Sequence, residues 1–348
     1  MAICHEQERL LDRVSRTFAL TIPELPQSLR LTVGNAYLLC RIVDTIEDEP
    51  TLPPERKRAL SERFTAVVAG DDDPAAFAEQ LGACLSDRTP RAERALVEAT
   101  PQVVALTRGF GSVQRAAIER CVRIMAGGMS EFQERRPTQG LADLAEMERY
   151  CYVVAGVVGE MLTDLFCDHC PEIAPRAPQM RLLAVRFGQG LQMTNILKDI
   201  WDDSSRSVCW LPRSVFARHG VDLATLSSGV DRPRLAAGVE ELVALAHAQL
   251  AAALEFVLMI PPRERGIRIF CLWAIGMALL TLRRIRAQPG FRSGREVKIS
   301  RHSVRATALA CRLAAGSDRL LRLLFLAAGQ AGRAAPGRAA GNGRLSER

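Results

Sequence analysis

Asp44-Thr45-Ile46-Glu47-Asp48 and Asp199-Ile200-Trp201-Asp202-Asp203 are two copies of one pattern, D-x-x-[DE]-D, each inside a stretch with helical periodicity. Residues at i, i+3 and i+4 share one helix face, so each copy is expected to point three carboxylates the same way. Like charges at that spacing repel by roughly 0.2–0.5 kcal/mol per pair. Apolar residues flank both copies (Leu38, Leu39, Ile42 and Val43; Ile196, Leu197, Ile200 and Trp201), which argues against loosely solvated turns. A lone D-x-x-E-D on a helix is most often a solvated acidic face. Two copies, each with polar residues in step upstream, turn the reading toward a lined cleft. Tyr37, Arg41, Asp44 and Asp48 step along one stripe, and Gln192 and Asn195 keep step with Asp199 and Asp202. Crowded carboxylates need cations, and Mg²⁺ shared with substrate phosphates fits best. Two facing clusters would hold a diphosphate between metals.

The rest of the chain agrees with a helical protein. It is 348 residues long and 48% hydrophobic, enough for a buried core, yet only 5% aromatic. Apolar positions recur at i, i+3, i+4 and i+7, and strand-like alternation is scarce, so an all-α fold is expected. No Gly-x-Gly-x-x-Gly turn follows a strand-like run, which excludes a Rossmann fingerprint. The net charge of +7 is uneven. Eight basic residues (Arg283, Arg284, Arg286, Arg292, Arg295, Lys298, Arg301, Arg305) stand against Glu296 alone between Arg283 and Arg305. A phosphate-rich ligand or an anionic membrane surface accounts for such a field, and so does a solvated basic face. No aromatic interleaving accompanies it, so no nucleic-acid partner is expected. Scattered cysteines in apolar runs (Cys40, Cys121, Cys151, Cys271, Cys311) read as buried thiols in a reducing compartment. The lone Cys167-x-x-Cys170 lacks the second pair of a zinc site. No signal peptide and no apolar run of about 18 residues is visible, and Ile267–Leu282, which contains Arg268, reads as a core helix.

Helices are expected over Leu29–Asp48, Pro74–Leu85, Arg91–Thr107, Ser112–Arg135, Tyr150–Phe166, Met180–Asp202, Arg232–Ile260, Pro262–Ala287 and Ser303–Ala328. Cys170–Pro178 reads as a loop, Ser204–Pro212 as a polar flap beside the metals, and Gln288–Arg295 as a Gly-containing loop. One domain is expected over residues 1–330, followed by a disordered Arg/Gly/Ala-rich tail at 331–348.

Several spaced motifs resemble the head-to-head prenyl synthases, the squalene and phytoene synthases. Ser15-Arg16-Thr17-Phe18 is similar to that family's S-R-[ST]-F. Tyr37-x-x-x-Arg41-x-x-Asp44-x-x-Glu47-Asp48 resembles its first aspartate-rich motif, and Gln192-x-Thr194-Asn195-Ile196-x-x-Asp199-x-x-Asp202-Asp203 its second. Tyr150 to Gly159 is similar to its Y-C-x-x-V-A-G-x-V-G segment. The resemblance spans roughly residues 15–300 and lies nearer the squalene branch, through Trp210-x-Pro212, Phe270-Cys271, Met277-Ala278-x-x-Thr281-Leu282 and Val297-Lys298-Ile299. It departs at Asp202, where the family usually has Glu, and no C-terminal membrane anchor like that of the eukaryotic squalene synthases is expected.

The resemblance implies a single-domain isoprenoid-synthase-type bundle around a central cavity. It implies two farnesyl diphosphates as substrates, Mg²⁺ (with Mn²⁺ as a substitute), and NADPH for reduction to squalene. A synthase that stops at presqualene diphosphate, or makes phytoene or dehydrosqualene, stays open. Asp44, Asp48, Asp199 and Asp203 are then expected as metal ligands, with Glu47 and Asp202 supporting. Ser15, Arg16, Thr17, Arg41, Gln192, Asn195 and Lys198 are expected on the diphosphates. Tyr150, Phe270 and Tyr37 are expected as catalytic residues, Tyr150 as proton acceptor or cation stabiliser and Phe270 offering its π-face to a cation, and Lys298, Arg295 and Asn195 at the nicotinamide cofactor. The Ala155-Gly156-x-x-Gly159 run either thins a cavity wall or packs two helices closely. A cytoplasmic monomer with peripheral membrane contact through the basic C-terminal third is expected.

Overall fold

The computed structural model describes residues 2–15, 18–135, 137–226 and 231–330. Arg16, Thr17 and the 331–348 segment lie outside the described residues. Within them all regular structure is helical, apart from one isolated bridge between Leu141 and Pro212. The α-helices are α1 (Ala2–Val14), α2 (Phe18–Thr21), α3 (Gln27–Asp48), α4 (Pro54–Ala69), α5 (Pro74–Cys84), α6 (Arg91–Glu98), α7 (Thr100–Arg108) and α8 (Ser112–Arg135). There follow α9 (Leu144–Cys151), α10 (Val157–His169), α11 (Ala177–Ser205), α12 (Arg213–Arg218), α13 (Arg232–Met259), α14 (Arg265–Ala287), α15 (Arg301–Ala314) and α16 (Asp318–Gln330).

Proline chemistry sets many of the boundaries. Pro54, Pro74, Pro101 and Pro178 sit in first turns, where the missing N–H would have had no partner. The single helix expected over Arg91–Thr107 is therefore two. Pro101 has no N–H for the Val97 carbonyl, and the Thr100 hydroxyl takes that carbonyl at 2.6 Å. The expected loop at Cys170–Pro178 is a 3₁₀ turn, Pro171–Arg176, running into α11. Between α9 and α10 the helix widens into a π turn at Tyr152–Gly156, which the sequence reading missed. Such turns recur at functional sites.

The expected last helix also divides. Ser300 caps α15, its hydroxyl accepting from Ser303 N at 3.1 Å. At the other end the Ala315 carbonyl accepts from Arg268 Nη1 at 3.1 Å, and Gly316-Ser317 breaks the run before α16. The expected flap at Ser204–Pro212 is pinned. Cys209, Trp210 and Leu211 are buried, Cys209 N bonds Pro137 O at 2.8 Å, and Leu141 N bonds Leu211 O at 2.9 Å. Its apolar side chains, not its polar ones, decide its position.

Long helices wall the centre. α3 buries Leu29, Val33, Leu38, Leu39, Ile42, Val43 and Ile46, and α11 packs along α13 and α10. All five cysteines expected inside are buried. Among the described residues, three helices are long and apolar enough to cross a membrane by length and composition alone: Leu144–His169, Arg232–Met259 and Arg265–Ala287. The last contains the stretch expected as a core helix, and its Ile267, Phe270, Leu272, Ile275 and Leu282 are buried.

Glu49 closes α3 and ties it to the loop before α6. At 2% exposure it accepts from Thr51 N (3.1 Å), Thr51 Oγ1 (2.7 Å), Ser86 N (3.0 Å) and Thr89 Oγ1 (2.6 Å). Burial opposes its charge, but bonds from Thr89, Ser86 and Thr51 outweigh that and hold the carboxyl down at about 2. Glu49→Gln turns an amide donor toward groups that are themselves donors. It should cost about 2–3 kcal/mol, read as a lower urea midpoint with an unchanged slope.

Candidate active site

The last turns of α3 and α11 carry the two acid motifs. Arg206, one residue past α11, reaches both: its Nη2 is 2.6 Å from Asp203 Oδ1 and its Nη1 is 3.8 Å from Asp48 Oδ1. One guanidinium spanning both motifs requires that they face each other. Three of the acids also have a partner nearer by. Arg41 lies 3.4 Å from Asp44 and pairs with Glu93 from α6. Lys198 lies 3.1 Å from Asp199, and Gln133 of α8 donates to Glu47 at 2.8 Å.

The expectation of three convergent carboxylates per motif is met only in part. Glu47 turns to Gln133, Asp48 and Asp202 are exposed, and Asp44, Asp199 and Asp203 are held by separate cations. Among the described residues no three such side chains gather closely enough to bind an ion unaided. Mutual repulsion spreads them, and Asp44, Glu47, Asp199 and Asp203 each take a nearby donor. The donor set is all oxygen and fits Mg²⁺, which takes one or two carboxylates and completes its shell with water and substrate phosphate.

The charge left in this cleft is poorly compensated. Desolvation pushes the Asp44 carboxyl up to about 7, with Arg41 pulling against it and Asp48 adding to it. Desolvation and then Asp48 push Glu47 up to about 8. Burial likewise raises Asp203. Burial works against the Arg41 charge, but Asp44 and Glu93 outweigh it, so the guanidinium stays charged. Arg41 Nε is buried without a hydrogen-bond partner, a donor left over beside the acids.

Next to the motifs lies a cavity of about 290 Å³. Asp44 is the one charged side chain among its described lining residues; Tyr37, Gln192 and Asn195 add polar groups, and the walls are otherwise apolar. Three aromatic residues form one side: Phe18 lies 5.0 Å from Tyr37 and 6.4 Å from Phe270 between ring centroids. The two readings of the glycine run hold together. Ala155 and Gly159 line the cavity, and a Cβ on Gly159 would come within 2.4 Å of the Ala184 carbonyl on α11, so helix contact and wall share the same residues.

Tyr150 is not part of the cavity lining. Its ring stacks on Trp210 at 3.9 Å and meets Phe132 edge-on at 5.2 Å. Burial raises its hydroxyl well above the usual phenol range, with Glu47 the next cause and Asp203 and Asp44 contributing, which puts it among the acids of both motifs. Ser15 is 7% exposed, and its hydroxyl accepts from Phe18 N at 2.9 Å, so that oxygen is engaged in starting α2.

The basic loop is laid onto the second motif. Phe291 and Val297 are buried and anchor it, leaving Arg292, Arg295 and Lys298 exposed. At Gly294 a Cβ would sit 3.1 Å from Asp199 Oδ1, 3.1 Å from the Lys198 carbonyl and 3.3 Å from Asp202 Oδ2. Glycine allows this backbone approach. Arg232 of α13 donates to the Phe291 carbonyl at 3.3 Å and covers the Trp201 ring at 4.4 Å. Sequence reasoning gave no role to Arg206, Phe18 or Arg232. Arg206 follows Asp203 at i+3 and was findable; Arg232 meets Trp201 only through tertiary packing.

A family model described as squalene/phytoene synthase matches residues 11–303. Squalene synthase ERG9 of Gibberella zeae is 31% identical over 214 residues, 61% of this chain and 44% of the relative. The squalene synthase of Schizosaccharomyces pombe is 27% identical over 307 residues, 85% of this chain and 64% of the relative. The chain thus spans less than two thirds of the length of these curated relatives. A solved structure titled as the complex of TcSQS with ligand BPH1237 superposes with a TM-score of 0.77 at 24% identity, covering 96% of this chain and 94% of that one. That likeness shows the fold, an all-α bundle of the isoprenoid-synthase type. By the family match over most of its length, this chain belongs to the squalene/phytoene synthase family.

Proposed function

We propose that the chain condenses two farnesyl diphosphates head to head into presqualene diphosphate, then reduces that intermediate to squalene with NADPH. The carrying observation is Arg206, whose guanidinium bridges Asp48 and Asp203 beside an apolar cavity. Facing acid motifs suit two diphosphate groups, and the cavity suits two prenyl chains. Asp44, Asp48, Asp199 and Asp203 would hold Mg²⁺, with Glu47 and Asp202 supporting. Bound there, the ion would supply charge neutralisation of the leaving diphosphate. Arg41, Lys198, Gln192 and Asn195 orient the diphosphates, together with Ser15, Arg16 and Thr17. The apolar walls exclude water from the cation, and the Phe270 and Phe18 faces and the Tyr37 ring offer it π density. Tyr150, buried near acids of both motifs, holds its proton. The cofactor's phosphates are assigned to Arg295 and Lys298, and Asn195, at the cavity wall, links them to the reacting end.

The reading includes one catalytic domain over residues 1–330, acting as a cytoplasmic monomer with peripheral membrane contact. Incubation with farnesyl diphosphate and Mg²⁺ should yield squalene only when NADPH is present. Lys298→Ala should slow the reductive half-reaction by about tenfold or more and leave the first within about twofold, so that presqualene diphosphate accumulates. Equal losses in both halves, or a product unchanged when NADPH is omitted, would favour a synthase without the reductive step.

A further inference from the structure

Six of the nine large apolar side chains exposed among the described residues fall within residues 309–326: Leu309, Leu313, Leu320, Leu323, Leu324 and Leu326. Leu313 is 70% exposed and Leu323 62%. Scattered exposed leucines need no explanation, but six on two adjoining helices mark an interaction surface. α15 and α16 hold to the bundle by their other sides, through Ala308, Cys311, Ala314 and Leu321, with Phe325 packed against the core. The exposed leucines are thus surplus to folding.

Charge identifies what covers them. Arg301, Arg305 and Arg319 are exposed on the same helices and make no ion pair with a described residue. Asp318 is the one acid on either helix, and it lies 2.7 Å from Arg268. Residues 331–348 carry four Arg and one Glu, so they bring the same sign as the patch. A second copy would set arginine against arginine. An anionic lipid surface supplies apolar depth and opposite charge together.

We propose that α15 and α16 dock on an anionic membrane surface, leucines at headgroup depth and Arg301, Arg305 and Arg319 on lipid phosphates. This surface gives residues to the peripheral contact proposed above, on which it rests. None of these side chains belongs to the proposed reaction site, so binding and turnover fail separately.

The purified full chain should co-sediment with phosphatidylcholine vesicles containing phosphatidylglycerol. Binding should fall at least about tenfold on pure phosphatidylcholine or in high salt. The double variant Leu313→Asp/Leu324→Asp should lose at least about tenfold of the binding, while turnover of farnesyl diphosphate without vesicles and the circular dichroism spectrum stay as in the parent. Should that variant misfold, Arg305→Glu/Arg319→Glu tests the charge alone and should remove the preference for anionic vesicles. Wild-type protein left in the supernatant, or folded variants that bind as tightly as the parent, would overturn the proposal. So would a dimer in light scattering that the leucine variant converts to monomer, because a second copy would then cover the patch.

Discussion

Asp203→Asn lowers kcat by at least about a hundredfold while the helices stay folded. Asp203 sits where the two motifs meet, nearly buried, with Arg206 at 2.6 Å. An amide keeps the shape but loses the anionic oxygen that a hard cation requires. Stability should not suffer, because the substitution removes a charge crowded by Asp199 and Asp202. The thermal midpoint in metal-free buffer is therefore expected to hold or rise, a common signature of residues kept for function at a cost in stability. Mg²⁺ with inorganic pyrophosphate should raise the wild-type midpoint and leave that of the variant unmoved. Near-normal turnover of Asp203→Asn in Mg²⁺ buffer would refute the metal-clamp reading. An equal midpoint rise in both proteins would show that the ion binds elsewhere.

The largest stability loss is expected at Arg268. This side chain is 0% exposed. Its Nε and Nη2 donate to the Ile260 carbonyl, the former at 2.8 Å. Its Nη1 donates to the Ala315 carbonyl at 3.1 Å and to Asp318 Oδ1 at 2.7 Å. It therefore joins the end of α13, the start of α14 and the break between α15 and α16. Arg268→Ala leaves two buried carbonyls without donors and a cavity where the guanidinium lay. The expected cost is about 3–5 kcal/mol. Asp318 is half exposed, so Asp318→Asn should cost under about 1 kcal/mol. Urea unfolding of both variants separates the contributions. Equal, small losses would mean that Arg268 serves the ion pair alone.

Much of the site was legible because helix geometry is local. The spacing in Asp44-Thr45-Ile46-Glu47-Asp48 places its acids without reference to the rest of the chain, and α3 and α11 carry both motifs in their last turns. Gln192 and Asn195, in step with the second motif, do line the cavity. Which neighbour Tyr150 faces is not legible locally, because a helical tyrosine gives no sign of it; Trp210, sixty residues on, stacks on its ring and holds it beside the acids. The pinning of Ser204–Pro212 was missed for the same reason. Its polar residues are visible locally, but the backbone partners Pro137 and Leu141 are not.

Most of the helices, the composition of both acid clusters and the family can be read along the chain, because they follow from contacts within a few turns or from motif order, although the apolar period runs on through the breaks at Pro101 and Gly316. Packing brings the motifs face to face through Arg206, lays the basic loop on Asp199 and Asp202 at Gly294, and leaves six leucines of the last helices outside. The physical reason is range. Period and capping act between neighbours in sequence, whereas charge pairing across a cleft, backbone approach and exposure depend on which distant faces the packed core brings together.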